Sequence, residues 1–233
     1  MSRFVVTLNT NDALCAVSRA SHQAAARRWG ALYVEMREAW GTLAHLGVFG
    51  TKLELDRLPL QGRVVWFDAD TVVRSDCPSL FDLVPAGAFG GVCNFQGDTH
   101  GGDPYPDHAE WHDQVATQMQ SPARYDPARY INGGVLVFDL PGHASVWRHI
   151  RRTLPDVPVN PMYEQTALNV ALVDLAIPLR ILPREFNRLG VAAWRGEPAM
   201  SACIIHCANL GDLRGDKHAA LSRVQWQLEG NQQ

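Results

Sequence analysis

Two kinds of hydrophobic stretch take turns along the chain. "RFVVTL" (3–8) is short, continuous and rich in β-branched residues, and polar "NTND" ends it, which predicts a buried first strand. From Asp12 to Trp29 the composition turns alanine-rich, with Leu14, Val17, Ala20 and Ala24 at helical spacing. That pattern predicts a helix capped by Asn11 or Asp12 and ended by Gly30. "ALYVEM" (31–36) predicts a second strand, a short helix is expected around Lys52 to Leu58, and "RVVWFDAD" (63–70) predicts a third strand.

Strand, helix, strand, helix, strand is the alternation of a parallel α/β sheet with helices on both faces. Such sheets bind ligands beyond the carboxyl ends of their strands, and both "TLNTND" and "FDAD" fall at such an end. The pattern then lapses. Residues 96–129 hold many Gly, Pro, His and Asp with little periodicity beyond a helical turn or two, and read as a long loop or lid of the kind that is often functional. Within it, "HAEWH" sets His108 and His112 four apart; the acid is third rather than second, so a solvated turn is expected rather than a zinc site. Tyr105 and Trp111 offer aromatic rings suited to sugar faces.

Periodicity resumes with "YINGGVLVFDL" as a strand and "ASVWRHIRRTL" as a helix. "NPMYEQTALNVALVDL" follows as a helix, with Asn160 capping it and Pro161 at its first position. "IPLRILP" and "SACIIHC" are further strands, and a last helix is expected over Lys217 to Leu228. No repeat or linker divides the chain, so 1–233 is expected to be one domain.

Composition narrows the partners. A hydrophobic content of 46% with 19% charged residues is that of an ordinary globular protein. The net charge of -3, without a basic block, argues against nucleic acid. No run is long enough to span a bilayer or to serve as a signal peptide. The five cysteines are odd in number, scattered and free of CxxC spacing, which suggests reduced thiols in a cytoplasmic protein. Cys203 and Cys207 are read as buried thiols on a strand.

The candidate chemistry sits in "VVWFDADTVV". Asp68 and Asp70, at i and i+2 on a strand, point to one face, and at its mouth they can share a divalent cation. Two carboxylates that repel one another call for such a charge. Such an ion completes its shell with substrate phosphate oxygens and offsets the charge of a departing phosphate. A solvated Asp-x-Asp turn before a helix near Ser79 is the plainer alternative.

Two families resemble this segment. "FDADTV" is similar to the first motif of haloacid-dehalogenase-type phosphatases, which implies Asp68 as a nucleophile, with Asp212 and Asp216 of "GDLRGD" as the later acids. "RVVWFDADTVVRSDCPSLFDL" resembles the D-x-D segment of family 8 glycosyltransferases. Further segments follow that family's order: "VTLNTNDAL", "YINGGVLVFDL", "EQTALN", "LPREFN" and "IIHCANLG".

The second resemblance covers most of the chain. It implies the GT-A fold, a Rossmann-like α/β domain whose mixed, mostly parallel sheet carries helices on both faces. It also implies retaining transfer of a hexose from a UDP-sugar, such as UDP-glucose or UDP-galactose, to a saccharide or other hydroxyl acceptor. The ion implied is Mn²⁺, with Mg²⁺ the alternative. Asp68, Asp70 and His206 are implied as its ligands, and an imidazole beside two carboxylates suits Mn²⁺ better than Mg²⁺.

Leu8, Thr10 and Asn11 are implied to hold uridine, with Leu14 where the family often has an aromatic ring. Ala69, between the paired acids, is also implied to contact the nucleotide. Arg63 is either a donor contact or a solvent-facing strand start. Asn132, Glu164 and Gln165 match residues around the transferred sugar, and Gly133 and Gly134 fit a close approach of backbone and sugar. The closing motif departs from the family at Asn209 and Asp212, leaving Arg214 or Lys217 as the cation near the diphosphate. That departure keeps open a nucleotide-sugar-binding protein without turnover.

Overall fold

The first apolar runs become neighbours in one sheet. β1 (Arg3–Leu8) lies between β2 (Leu32–Met36) and β3 (Gly62–Phe67), parallel to both. The computed structural model describes residues 1–94, 108–154, 160, 162–189 and 202–208, and only the backbone at 12–14 and 17. A short strand, β4 (Thr71–Val73), follows the paired acids. β5 (Phe89–Cys93), β6 (Ile131–Leu140) and β7 (Leu179–Leu182) complete the main sheet in the order β2-β1-β3-β6-β5-β7. β6 runs antiparallel to β3 and β5, and the other pairings are parallel.

Strand residues alternate between two buried cores, which is why their sequences are apolar without a break. Phe4, Val6, Val64, Trp66, Leu136 and Phe138 face one core. Val5, Val65, Phe67, Val135 and Val137 face the other. Each fully buried side chain of this size contributes about 1.5–3 kcal/mol. α1 (Asp12–Arg28) and α3 (Leu80–Leu83) cover the second face. α4 (His108–Gln118), α5 (Ala144–Thr153) and α6 (Tyr163–Asp174) cover the first. Gly30, at φ +63°, ends α1: its N–H reaches Arg27 O (3.3 Å) and the Ala31 N–H reaches Ala26 O (2.9 Å).

Several elements depart from expectation. The short helix lies earlier, as α2 (Gly47–Lys52), with 3₁₀ turns at Ala44–Leu46 and Leu55–Arg57. α6 starts at Tyr163, although the Asn160 Oδ1 does accept from the Met162 N–H (3.0 Å). β5 carries no strand signal because its centre is Gly90-Gly91. A β-carbon at either position would strike Val84 or Ile131.

The loop expected over 96–129 contains α4, and its two histidines are not solvated: His108 and His112 are buried with Val115, Ala116 and Met119. Histidines occupying an apolar face hide a helical period. Tyr105, Pro161 and the helix expected over Lys217 to Leu228 lie outside the described residues. All five cysteines are free and buried. Among the described residues, no helix is long and apolar enough to cross a membrane.

A second, three-stranded sheet matters most for chemistry. β9 (Ile204–His206) runs antiparallel to β4 and parallel to β8 (Arg188–Leu189). Its register sets His206 opposite Thr71, one residue from Asp70.

Candidate active site

β3 ends at Phe67, and the chain turns through Asp68, Ala69 and Asp70 before β4 begins. The turn is pinned on several sides. The Asp68 N–H donates to Gly134 O (2.9 Å), the Thr71 hydroxyl donates to Asp68 O (2.9 Å), and the Cys207 N–H donates to Asp70 O (2.8 Å). Behind it, the buried His22 ring bonds Thr71 through Nε2 (2.8 Å to Oγ1) and stacks on Phe67. Burial holds this imidazole down to about 4, so it is neutral at physiological pH.

The turn and the β4–β9 register bring three ligating groups together. One atom each from Asp68, Asp70 and His206 lies within 4.8 Å of the others. The His206 Nε2 is 3.2 Å from Asp70 Oδ1 and 3.8 Å from Asp68 Oδ2. Two carboxylates and an imidazole form a mixed oxygen and nitrogen donor set, and these residues fit a divalent cation. The resemblance anticipated this cluster.

Asn132, Gly133, Glu164 and Gln165 gather beside it. The Gln165 Oε1 accepts from the Gly133 N–H (2.9 Å), while its buried Nε2 has no partner among the described residues. Asn132 gives its Nδ2–H to Asn94 Oδ1 (2.9 Å), and its Oδ1 accepts from the Gly134 N–H (2.8 Å) and from Asn187 Nδ2 (2.8 Å). The Asn187 Oδ1 in turn meets His206 Nδ1 (3.1 Å). The two glycines also allow close packing within the protein. A β-carbon at Gly133 would come within 2.9 Å of Glu164 Oε1, and one at Gly134 would collide with the His206 ring, so both are crowded by side chains of this protein.

Sequence reasoning missed Lys52. Its ammonium lies 2.8 Å from Asp68 Oδ1 and 2.8 Å from Glu164 Oε1, and donates to Gly133 O (3.3 Å). Burial alone would push this lysine down, but attraction by Asp68 and Glu164 outweighs it and its pKa is raised. A lone Lys in apolar "GVFGTKLEL" was the only local signal. Trp66 Nε1 donates to Asp68 Oδ1 (2.8 Å), adding a second restraint on that carboxylate.

Other expected residues differ in their distance from this cluster. Thr10 and Asn11 are exposed in the turn after β1, at the same sheet end as Asp68. Leu8 packs into the core. Arg63 belongs to neither of its expected settings. It is buried at the opposite end of β3, where its guanidinium donates to Pro85 O (2.9 Å) and to Val84 O and stands 3.5 Å from Asp139. Lys217, Arg214, Asn209 and Asp212 lie outside the described residues, and so does the Leu14 side chain. Trp111, on α4, bonds through its carbonyl to Asn160 Nδ2 (3.4 Å) and packs on His108.

No protein-family profile matches the chain, and no curated protein matches it in sequence. Solved structures do match. A glycosyltransferase involved in glycosylation of the major capsid of PBCV-1 superposes with a TM-score of 0.61 at 11% identity, over 97% of this chain and 99% of its own. The galactosyltransferase LgtC, in complex with donor and acceptor sugar analogs, gives 0.57 at 15% identity, over 98% and 95%. Mouse xyloside xylosyltransferase 1 gives 0.52 at 11% identity, over 90% and 98%. The fold is GT-A. In this GT-A chain the acidic turn occupies the carboxyl end of a central strand, where α/β sheets bind ligands.

Proposed function

We propose that this protein is a retaining glycosyltransferase of family 8, moving a hexose from a UDP-sugar to a saccharide or other hydroxyl acceptor with Mn²⁺. The observation that carries the reading is the convergence of Asp68, Asp70 and His206 at the ligand-binding end of a GT-A sheet. In this reading these three side chains hold the ion. When bound, it offsets the negative charge that gathers on a departing diphosphate.

The chain's own residues supply the rest. Thr10 and Asn11, exposed beyond β1, receive the nucleoside together with Ala69 between the acids. Lys52 fixes the Asp68 and Glu164 carboxylates at a set separation, so neither has to reorganise when the donor arrives. Gln165 offers to the sugar its amide N–H groups, which have no partner among the described residues. Lys217, with Arg214 the alternative, neutralises the diphosphate. UDP-glucose and UDP-galactose are the first donors to test.

Incubation with each donor and Mn²⁺ tests the reading. Slow release of UDP, lost in Asp70→Asn, is the expected result. Nucleotide binding without turnover would assign a binding protein. Phosphate release from a phosphomonoester without nucleotide binding would assign a phosphatase. The antiparallel β6 beside β3, together with the solved glycosyltransferases that share this architecture, favours the transferase.

A further inference from the structure

We propose that Asn187 is a positioning residue that fixes the His206 proton on Nδ1 and so turns a bare Nε2 lone pair toward Asp68 and Asp70. The proposal rests on the metal-site reading above, because a cation bound there would take up that lone pair.

The argument begins at a group whose polarity is not in question. The backbone N–H of Gly134 is a donor, so the Asn132 atom facing it at 2.8 Å is Oδ1. That orientation sends Asn132 Nδ2 to Asn94 Oδ1 (2.9 Å), where it is also satisfied. The Asn187 atom 2.8 Å from Asn132 Oδ1 is therefore a donor, Nδ2. The other end of that amide, Oδ1, then faces His206 Nδ1 at 3.1 Å and accepts from it. A neutral imidazole has one proton, so Nε2 has none.

The reverse polarity fails at each link. A proton on Nε2 would suit Asp70 at 3.2 Å but would set the Nδ1 lone pair against Asn187 Oδ1. Turning Asn187 over to answer that would oppose its Oδ1 to Asn132 Oδ1. Turning Asn132 over as well would put its NH₂ against the Gly134 N–H, which cannot turn. Asn132, Asn187 and His206 are buried at 7%, 4% and 4% exposure, so water is a poor substitute at any link.

The outcome is a nitrogen lone pair turned toward Asp70 and toward Asp68, whose carboxylate also carries the Lys52 ammonium. A cation completes that arrangement. Asn132, expected beside the sugar, thus spends its oxygen on the metal side. The relay explains physically why "LPREFN" ends in an amide, because that last residue orients the imidazole.

Nitrogen-15 NMR of histidine-labelled, metal-free protein at about pH 8, above the usual imidazole range, reads the tautomer directly. Wild type is expected to show His206 protonated at Nδ1. Asn187→Leu, which neither donates nor accepts, should mix the tautomers and weaken Mn²⁺ binding, followed by titration calorimetry, about 10–100-fold. Asn187→Asp keeps an acceptor for the Nδ1–H and should keep the wild-type tautomer, although its second oxygen opposes Asn132 Oδ1 and lowers stability.

A wild-type spectrum with the proton on Nε2 overturns the proposal, as does Asn187→Leu with tautomer and Mn²⁺ affinity unchanged. If Asn187→Leu does not fold, the wild-type and Asn187→Asp spectra still decide. Failure of the transferase reading leaves a different trace: an Nδ1–H protein that binds Mn²⁺ and never releases UDP keeps this proposal.

Discussion

The Gly134 α-carbon lies directly against the His206 imidazole, with no room for a β-carbon between them. A residue in the middle of β6 thereby sets where the last ligand of the candidate site can stand. Gly134→Ala is expected to displace the ring, cost about 1–3 kcal/mol through overpacking, and reduce Mn²⁺ affinity at least tenfold. Gly142→Ala, where a β-carbon meets nothing nearer than 3.6 Å, should change neither. Thermal unfolding and titration calorimetry on the two variants check this.

Lys52 joins two carboxylates that would otherwise face each other without a counter-charge. Lys52→Met leaves buried charge uncompensated and should destabilise the fold by about 3–5 kcal/mol. Adding Glu164→Gln removes one of the stranded charges and should recover part of that loss. Urea unfolding of the single and double variants measures it. The raised lysine pKa predicts that its contribution is fully present below the lysine's unfolded value and fades only as pH rises through the folded one, so it is constant across the neutral range.

Acid acts through His22. Its folded pKa, lowered to about 4 by burial, lies below the ordinary 6.5, so between those values the unfolded chain binds more protons than the folded one. Stability therefore rises with pH through that window and is lost as pH falls from 6.5 toward 4. The full effect is about 3 kcal/mol. Burial also lowers His112 and His143, adding slope of the same sign. His22→Gln, which keeps an N–H for Thr71 and does not titrate there, should make the pH dependence shallower. Unfolding curves of metal-free protein at neutral pH and about pH 5 test this.

Arg63 separates stability from binding. Its guanidinium ties β3 to the carbonyls of residues 84 and 85 and to Asp139, at the sheet end away from the acids. Arg63→Met should lower the unfolding midpoint through its unmet carbonyls and carboxylate, about 1–3 kcal/mol. The affinity for UDP with Mn²⁺ should be unchanged. A large loss of UDP affinity in a folded Arg63→Met protein would contradict this placement.

The sequence alone carried whatever is local. Continuous β-branched runs mark strands with both faces buried. Two acids at i and i+2 beyond such a run lie at its mouth, and the order of short motifs pointed to the GT-A architecture. Local reading failed where packing replaced the usual signal. Gly90 and Gly91 form a strand because Val84 and Ile131 leave no room for side chains, and α4 buries histidines where a helix ordinarily buries leucine.

Tertiary structure decided the partners. The β4–β9 register sets His206 against Asp70, α2 delivers Lys52 between Asp68 and Glu164, and the amides of Asn94, Asn132 and Asn187 meet from three separate elements. Spacing along the chain fixes which way a side chain leaves its own strand or helix. Which residue it then meets depends on how elements far apart in sequence pack, and that was not written in any one segment.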